Sequence, residues 1–414
     1  MKNIKFITAN LIFVRHRFLV SLLCVLCASV VNLSAQDYKT LKDGIEYAEV
    51  TKEISGLKVH MNLLRLDLTK VRLDVNHAMD AAIGTEKTSS IATRHGAFAA
   101  INAGFFRLDK SIWAGDPAGL LLINGELLSE QNGNRIALGI ENNKKKTVTY
   151  IAPLQAYIHV GVEGTRLSNV ISGIDRERKE KELVLYGPAF GKTTLTQPNG
   201  TEVLLKGCKR KFGHRDGIEV ISNVCQSLDI RHGTGNSSIP SDGYVLSISP
   251  ADFDDKTEML KELTELGPGV NKKKRPFIRF ETGVRGSLLP PDSTLSIVGG
   301  VPQLIKNSKI DITWQEEKSS KSFVETRHPR TAVAKLKDGK FLMITVDGRT
   351  ESSGGIGLQD LAEYLLSLGA TDAMNLDGGG STTMFVDGKV VNHPSDKEGE
   401  RKVSDAILVS PRRH

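Results

Sequence analysis

The sequence lacks the signatures of several common enzyme classes. Its 414 residues contain no Gly-x-Ser-x-Gly motif, no His-Glu-x-x-His motif and no Gly-x-x-x-x-Gly-Lys-Ser/Thr phosphate loop. The ten histidines are scattered, and no two stand at the helical spacing of zinc ligands. These absences argue against an α/β-hydrolase nucleophile elbow, a P-loop and a catalytic zinc.

Cysteine is scarce, with four residues in the chain and no zinc-like spacing. Two of them lie in the first 35 residues, which leaves Cys208 and Cys225 for the rest of the protein. In an oxidising compartment this pair can form one disulfide. The alternative is two unpaired buried residues, and the spacing does not decide between them.

Acidic residues are absent from the first 35 positions, which hold four basic residues, an apolar run at 18–31 and the small-residue segment Ser34-Ala35-Gln36. This order is typical of a secretory signal peptide. It predicts an exported protein that is periplasmic, exposed at the cell surface or secreted. The apolar run is short for a membrane span, and an uncleaved anchor is the alternative.

The formal net charge of +7 owes much to this leader, because Lys2, Lys5, Arg15 and Arg17 contribute four of the positive charges and residues 36–414 retain +3. A charge this small is typical of an ordinary surface, so we expect no nucleic-acid partner. With 39% hydrophobic and 25% charged residues, the composition also excludes a disordered chain, collagen and a membrane helix bundle.

Alternating apolar and polar residues predict strands, beginning at 46–77. Tight hairpin turns are predicted at Asn124-Gly125, Asp338-Gly339 and Asp387-Gly388, because these dipeptides accept positive φ angles. We therefore expect largely antiparallel strand pairing.

Two segments predict helices. Apolar residues of 358–368 recur at the spacing of one helical face, and Gly369 is placed to end that helix. A second helix is predicted at 256–266. Strands with a few packed helices predict an α+β fold of mixed, largely antiparallel sheets.

Glycine is concentrated near the C-terminus, where nine of the 42 residues 339–380 are glycine. The triplet Gly378-Gly379-Gly380 is costly in backbone entropy, which either a close approach to a ligand or a tight bend at a sheet end could offset. Polar residues flank the triplet and favour a binding site: Asn375, Asp377, Ser381 and Thr382.

Asp347 and Asp377 each follow a predicted apolar strand, a position that holds carboxylates rigidly for acid–base or metal chemistry. Asp-Gly also begins ordinary turns, but a glycine-rich segment follows each of these two aspartates. Arg330 precedes another apolar strand and can bind a phosphate or carboxylate through its planar guanidinium, or lie at the surface. Asn102 ends a fully apolar strand and must hydrogen-bond either the backbone or a ligand.

The segment 375–383, Asn-Leu-Asp-Gly-Gly-Gly-Ser-Thr-Thr, resembles the signature of the phosphodiester glycosidase family. Further segments resemble the family in the expected order, at 101–106, 183–186, 299–302, 330–334, 346–349 and 392–396. The resemblance spans nearly all of the chain after the leader. After the signal peptide predicted at 1–35 and the N-terminal β segment at 36–90, the resemblance predicts a phosphodiester glycosidase domain at 91–414, with an elaboration around 208–285.

The resemblance implies hydrolysis of a sugar 1-phosphodiester at the anomeric C–O bond. A GlcNAc-like sugar would be released and a phosphomonoester would remain on a phosphorylated glycan. The implied catalytic residues are Asp377, Asp347 and Arg330. The implied substrate-binding residues are Asn102, Thr331, Arg349, Asn375, Gly378, Gly379, Gly380, Ser381 and Thr382.

No cofactor is required by this chemistry, although a Ca²⁺ ion held by carboxylates and carbonyls stays open and no metal ligands are assigned. Two other functions also stay open: a phosphodiesterase that cleaves the P–O bond, and a non-catalytic binder of envelope polysaccharide. We expect no transmembrane span after signal cleavage, and the sequence predicts no oligomeric state.

Overall fold

A computed structural model describes residues 37–164, 168–215, 218–250, 276–285 and 294–412. The predicted signal peptide at 1–35 and the predicted helix at 256–266 lie outside these residues. The predicted elaboration around 208–285 is described in part.

Strands make up most of the regular structure. In chain order they are β1 (Lys39–Lys42), β2 (Ile45–Ile54), β3 (Leu57–Leu66), β4 (Val71–His77), β5 (Glu86–Lys87), β6 (Ala99–Asn102), β7 (Leu121–Ile123), β8 (Glu126–Ser129), β9 (Ala137–Asn142), β10 (Thr147–Ala152), β11 (Gln155–Val162), β12 (Ser168–Val170), β13 (Gly173–Ile174), β14 (Leu183–Tyr186), β15 (Thr201–Arg215), β16 (Ile218–His232), β17 (Tyr244–Ile248), β18 (Phe277–Arg285), β19 (Thr294–Gly299), β20 (Gln303–Lys306), β21 (Lys309–Ile310), β22 (Arg330–Leu336), β23 (Phe341–Val346), β24 (Ala370–Asn375), β25 (Met384–Val386), β26 (Lys389–Val390), β27 (Lys402–Val403) and β28 (Asp405–Pro411). The α-helices of the described residues are α1 (Thr88–Arg94), α2 (Lys321–Glu325) and α3 (Leu358–Ser367), and short 3₁₀ turns lie at Ala78–Asp80 and Gly379–Ser381.

The prediction of an α+β fold is wrong. Strands account for 50% of the structure and helices for 8%, so the fold is mostly β, with large antiparallel sheets. The main difference lies in β15 and β16, which extend over 15 residues each. Their pairing shifts register between Leu204 and Leu205 and between Lys206 and Lys209. Such shifts move side chains to the opposite face, which hides the period-two pattern from the sequence.

The described residues form four sheets of five or eight strands. We call the sheet that carries the C-terminal strands the central sheet, and its order is β1-β2-β3-β23-β22-β24-β20-β21. The others have the orders β26-β25-β6-β28-β4, β10-β9-β19-β7-β8 and β12-β11-β18-β16-β15-β17-β14-β13, and β5 pairs with β27. Nearly all neighbours are antiparallel; β13 and β14 are parallel.

Both faces of the central sheet are buried. On one face, Phe341 and Met343 of β23 join a core that includes Ile407 of β28. On the other face, Ile344 packs in a cluster with Leu361 of α3. Because successive strand residues point to opposite faces, the continuous apolar sequence of β23 fits a strand covered on both sides.

The predicted turns and the predicted C-terminal helix are confirmed. Asn124-Gly125, Asp338-Gly339 and Asp387-Gly388 join β7 to β8, β22 to β23 and β25 to β26. Helix α3 closely matches the predicted span, and Gly369 follows it with φ 88°. This left-handed conformation is the one that glycine adopts most readily at a helix end.

A disulfide joins Cys208 of β15 to Cys225 of β16, which decides between the two alternatives left by the sequence. It links two strands that are already antiparallel neighbours. No helix in the described part of the chain is long and apolar enough to cross a membrane.

Replacing both cysteines with serine (Cys208→Ser with Cys225→Ser) should lower the free energy of unfolding. The two cysteines are 17 positions apart, and closing a loop of this size restricts the unfolded chain by about 3 kcal/mol. Urea unfolding of both proteins under oxidising conditions measures the difference. A reducing agent should shift the midpoint of the parent protein only, and equal midpoints without it would contradict the prediction.

Candidate active site

Three of the predicted site residues meet at one edge of the central sheet. Arg330, the first residue of β22, pairs with Val346, the last residue of β23, and the end of β24 lies opposite the third residue of β22. Because the strands are antiparallel, β22 begins where both of its neighbours end. This arrangement brings Arg330 close to the segments that carry Asp347 and Asp377.

The Arg330 side chain is buried, with 1% of its surface exposed. Its Nη2 donates to the carbonyl oxygens of Phe323 (2.6 Å) and Thr326 (2.9 Å), and its Nε donates to that of Ile356 (3.3 Å). Among the described residues no carboxylate forms an ion pair with it. Burial and the neighbouring Arg349 lower the pKa of Arg330 to about 10. A buried cation without a counterion is costly, and an anionic ligand would offset that cost.

Arg349 adds a second guanidinium to this region. Its side chain is exposed, and its Nη2 lies 3.3 Å from Nδ1 of His328. A Cβ built on Gly379 would stand 3.1 Å from the same Nη2, so Arg349 lies against the glycine triplet. Burial and the charges of Arg330 and Arg349 lower the pKa of His328. The surroundings of the triplet are therefore electropositive.

Asp377 follows β24 and is anchored through its backbone. Its N–H donates to the Ala103 carbonyl (3.0 Å), and its Oδ1 accepts from the Gly378 N–H (2.9 Å). Burial raises the pKa of Asp377 to about 6, although the Gly378 N–H and the Arg401 guanidinium act in the opposite direction. The buried Asp405 nearby adds to the rise.

Asn102 at the end of β6 holds the chain around Asp377. Its Nδ2 donates to the Asp377 carbonyl (2.7 Å), and its Oδ1 accepts from Thr331 Oγ1 (2.8 Å) and from the Thr383 N–H (3.1 Å). The side chains of Asn102 and Thr331 are fully buried. The two residues thus bond the protein itself and position the segment that carries Asp377.

The glycine triplet is packed closely by the protein. The Gly379 N–H donates to the Pro329 carbonyl (2.9 Å), so the amides of two of the three glycines predicted to bind substrate already have acceptors. Gly379 has φ 61°, which favours glycine. A Cβ on Gly380 would collide with Asp396 and Arg401, which form an ion pair across it.

Several buried polar atoms beside the triplet have no hydrogen-bond partner among the described residues. They are Asn375 Oδ1, Ser381 Oγ, Thr382 Oγ1 and Thr383 Oγ1. Ser381 lies near enough to Asp377 to lower its pKa, but its hydroxyl is not in hydrogen-bonding geometry. Asn375 Nδ2 donates to the carbonyls of Val301 (2.7 Å) and Leu376 (2.8 Å). The unpartnered atoms leave this segment with hydrogen-bonding capacity that its own fold does not use.

Asp347 accepts hydrogen bonds on both carboxylate oxygens. Its Oδ2 lies 2.8 Å from His60 Nδ1 and 3.1 Å from His393 Nδ1, and its Oδ1 accepts from Asn392 Nδ2 (3.2 Å) and the His393 N–H (3.0 Å). Burial lowers the pKa of His60, but hydrogen bonds to Glu49 and Asp347 raise it above its usual value. Asp347 is therefore held in a tight network.

Sequence reasoning missed His60, His393 and Asp405 as site residues. His60 stands within an ordinary strand alternation, and His393 lies inside the 392–396 segment without a chemical signal of its own. Asp405 begins the apolar strand β28 with its side chain buried, and its Oδ1 accepts from the Gly104 N–H (2.6 Å). A carboxylate at the start of an apolar strand was the available signal for Asp405.

A concavity is lined by residues of two of the family-like segments, 101–106 and 299–302, and by their neighbours. Its walls include Phe105, Gly299, Gly300 and Arg135. Phe105 makes an edge-to-face contact with Phe323, whose ring lies under the Arg330 guanidinium. Phe105 therefore connects the wall of this concavity to the aromatic ring that contacts the buried arginine.

Comparison with known proteins matches residues 221–410 to a family model described as phosphodiester glycosidase. N-acetylglucosamine-1-phosphodiester alpha-N-acetylglucosaminidase of Bos taurus is 38% identical over 111 residues, which cover 25% of this chain and 21% of that protein. The SPbeta prophage-derived uncharacterized protein YomE of Bacillus subtilis (strain 168) is 42% identical over 87 residues, 21% of this chain and 13% of that protein. The alignments thus span about a fifth or less of these relatives.

A crystal structure of a hypothetical protein from Synechocystis has the same fold. It superposes with a TM-score of 0.69 at 20% identity, covering 91% of this chain and 64% of that chain. The resemblance that residues 375–383 indicated is confirmed by the match of residues 221–410 to the phosphodiester glycosidase family model.

Proposed function

We propose that this protein hydrolyses a sugar 1-phosphodiester at the anomeric C–O bond, with a GlcNAc-like sugar as the released group. The observation that carries the proposal is the buried Arg330 guanidinium without a carboxylate partner among the described residues, on a strand that lies against Gly378, the residue after Asp377. A phosphodiester supplies the missing anion, and its anomeric carbon requires a carboxylate. The family match and the name of the bovine relative support the same substrate class.

The phosphate end of the substrate would bind between Arg330 and Arg349. The positive charge of Arg349 contributes to the lowered pKa of Arg330, and an anion between the two side chains would offset this repulsion. Arg330 is held by three carbonyl oxygens and is therefore oriented before the substrate arrives. Preorganised donors of this kind stabilise the phosphate as it leaves the sugar.

The sugar end would face Asp377. An anomeric carbon that develops positive charge is stabilised by a carboxylate, acting as nucleophile, base or electrostatic partner. Asp347 is engaged by four hydrogen bonds, so we assign it to positioning and Asp377 to direct contact with the reacting sugar. Water supplies the oxygen that joins the anomeric carbon, and the bridging oxygen stays on the phosphorus as a phosphomonoester.

The leader at 1–35 supports action after export, in the periplasm, at the cell surface or outside the cell. A phosphorylated glycan at these locations would present the diester. Hydrolysis as proposed needs no organic cofactor, because the charged groups for both halves of the substrate come from the chain itself.

Hydrolysis of a GlcNAc-1-phosphodiester in ¹⁸O-water tests the bond that is broken. We expect the phosphomonoester product to be free of label, because attack at carbon leaves all its oxygens in place. Mass spectrometry of the phosphate product measures this directly. Label in the phosphate would mean P–O cleavage and would overturn the proposed reaction.

Asp377→Asn should lower kcat by about 10²–10⁴-fold or more, since it removes the charge that the reacting sugar requires. The matched control is Asp387→Asn, which changes an aspartate of an exposed hairpin turn and should leave kcat unchanged. Steady-state kinetics of both variants on the same diester provides the comparison. Equal turnover by the two variants would remove Asp377 from the site.

Arg349→Gln should raise KM by about 10-fold or more with a smaller change in kcat, because a charged hydrogen bond to the phosphate is lost. The side chain is exposed, so the variant should fold normally. Arg72→Gln, which removes an exposed arginine of β4 that pairs with Asp74, is the control. A KM no higher than that of the control would place the phosphate elsewhere.

The pH dependence of kcat/KM should reflect the ionisation of Asp377. Its folded-state pKa of about 6 lies above the usual 3.8, so kcat/KM should rise as pH increases through about 6 and the carboxylate forms. The same pKa predicts a pH-dependent stability. The folded protein holds the proton of Asp377 more tightly than the unfolded chain does, so the free energy of unfolding of the parent relative to Asp377→Asn should fall as pH rises from about 4 to about 6. Thermal melts at several pH values measure this difference. A difference that does not vary with pH would contradict the shifted pKa.

A further inference from the structure

We propose that His60, Asp347 and His393 form a binding site for a first-row divalent transition metal, with Zn²⁺ as the expected ion. Among the described residues these three side chains are the group of histidine, cysteine and carboxylate ligands that could hold an ion, with one donor atom from each within 4.8 Å of the others. This inference does not depend on the proposed hydrolysis.

The three ligands come from separate parts of the chain. His60 lies on β3, Asp347 follows β23 and His393 follows β26. The Asp347 N–H donates to the His60 carbonyl (2.9 Å), so backbone pairing fixes the first two side chains beside each other. Because the three lie far apart in sequence, no spacing of the kind used for zinc motifs could reveal them.

The donor atoms are already close to metal-binding distances. Asp347 Oδ2 lies 2.8 Å from His60 Nδ1 and 3.1 Å from His393 Nδ1. Ligand atoms of a tetrahedral zinc site stand roughly 3.3 Å apart, given metal–ligand bonds of about 2.0–2.1 Å. Small side-chain movements would therefore open enough room for an ion.

Neighbouring groups orient the ligands as the outer contacts of metal sites do. Glu49 Oε1 lies 2.8 Å from His60 Nε2 and can accept a hydrogen bond from it. With the proton on Nε2, the lone pair of Nδ1 is available to an ion bound beside Asp347. Asn392 Nδ2 and the His393 N–H bond Asp347 Oδ1 and leave Oδ2 for the ion. In metal sites, a ligating histidine usually donates its other ring N–H to a carboxylate or carbonyl group, and a ligating carboxylate usually accepts further hydrogen bonds.

The donor set selects the class of ion. Two imidazole nitrogens and one carboxylate oxygen suit Zn²⁺ and its first-row neighbours, whereas Ca²⁺ takes six to eight oxygen ligands. The His393 side chain is 70% exposed, so a fourth position is open to water. Asn392 also donates to the Thr382 carbonyl (3.0 Å), which connects the metal ligands to the segment after the glycine triplet.

The test uses the purified full chain after removal of metal by a chelator. We expect Zn²⁺ to bind with one-to-one stoichiometry by isothermal titration calorimetry. We also expect Co²⁺ to give the intense visible absorption of a low-coordinate nitrogen and oxygen site. His393→Ala should weaken Zn²⁺ binding by at least about 10-fold and abolish the Co²⁺ absorption, and its exposed position should allow normal folding.

Three variants complete the experiment. His232→Ala removes an exposed histidine of β16 and should bind Zn²⁺ as the parent does. Glu49→Gln should weaken binding by about 10–100-fold through the loss of the charge behind His60. Asp377→Asn should retain the metal, so a failure of the proposed hydrolysis would be distinguished from a failure of the metal site.

Two results would overturn the inference. One is the absence of stoichiometric Zn²⁺ binding by the parent protein. The other is equal binding by the parent and His393→Ala, which would mean that Zn²⁺ binds elsewhere and that the three residues form a hydrogen-bonded network only.

Discussion

Antiparallel pairing of β22 between β23 and β24 is the constraint on which the candidate site depends. The start of β22 adjoins the ends of β23 and β24. Arg330 and the segments that carry Asp347 and Asp377 therefore lie at one edge of the sheet, and no long loop is needed to bring them there. A shift of one residue in this register would move Arg330 to the opposite face of the sheet. Burial of both faces of the sheet makes such a shift costly, since every side chain of β23 would exchange its packing environment.

The side chain of Asn102 connects the central sheet to the sheet that contains β6. It ends β6 in the sheet that contains β28, yet three of its hydrogen bonds reach Thr331 and the segment around Asp377. Because this buried amide bonds residues of both sheets, a change in how the sheets pack would also move the segment that carries Asp377. Fully satisfied buried networks of this kind favour one arrangement over others, because each alternative leaves a polar group unpaired.

The sequence predicted local features well and long-range partners poorly. Turn dipeptides and the face of α3 depend on neighbouring residues, so their positions followed directly from the sequence. Arg330, Asp347 and Asp377 are candidates from the sequence because each stands at the end of an apolar strand. His60 offers no such signal, since its contact with Asp347 joins residues almost 300 positions apart. The register shifts of β15 hid much of the β content and led to the incorrect fold class.

Each glycine of the triplet is required by a different contact. Gly378 lies against the Pro329 carbonyl, Gly379 has a positive φ angle, and Gly380 is covered by the Asp396–Arg401 ion pair. A larger residue would strain the backbone at Gly378 and Gly379 and would displace the side chains of the ion pair at Gly380, whether or not a ligand is bound. The fold alone therefore restricts which residues can replace the three glycines, independently of any requirement for catalysis. A non-catalytic descendant of this domain would be expected to retain the triplet, so its presence in a genome sequence identifies the fold more securely than the reaction.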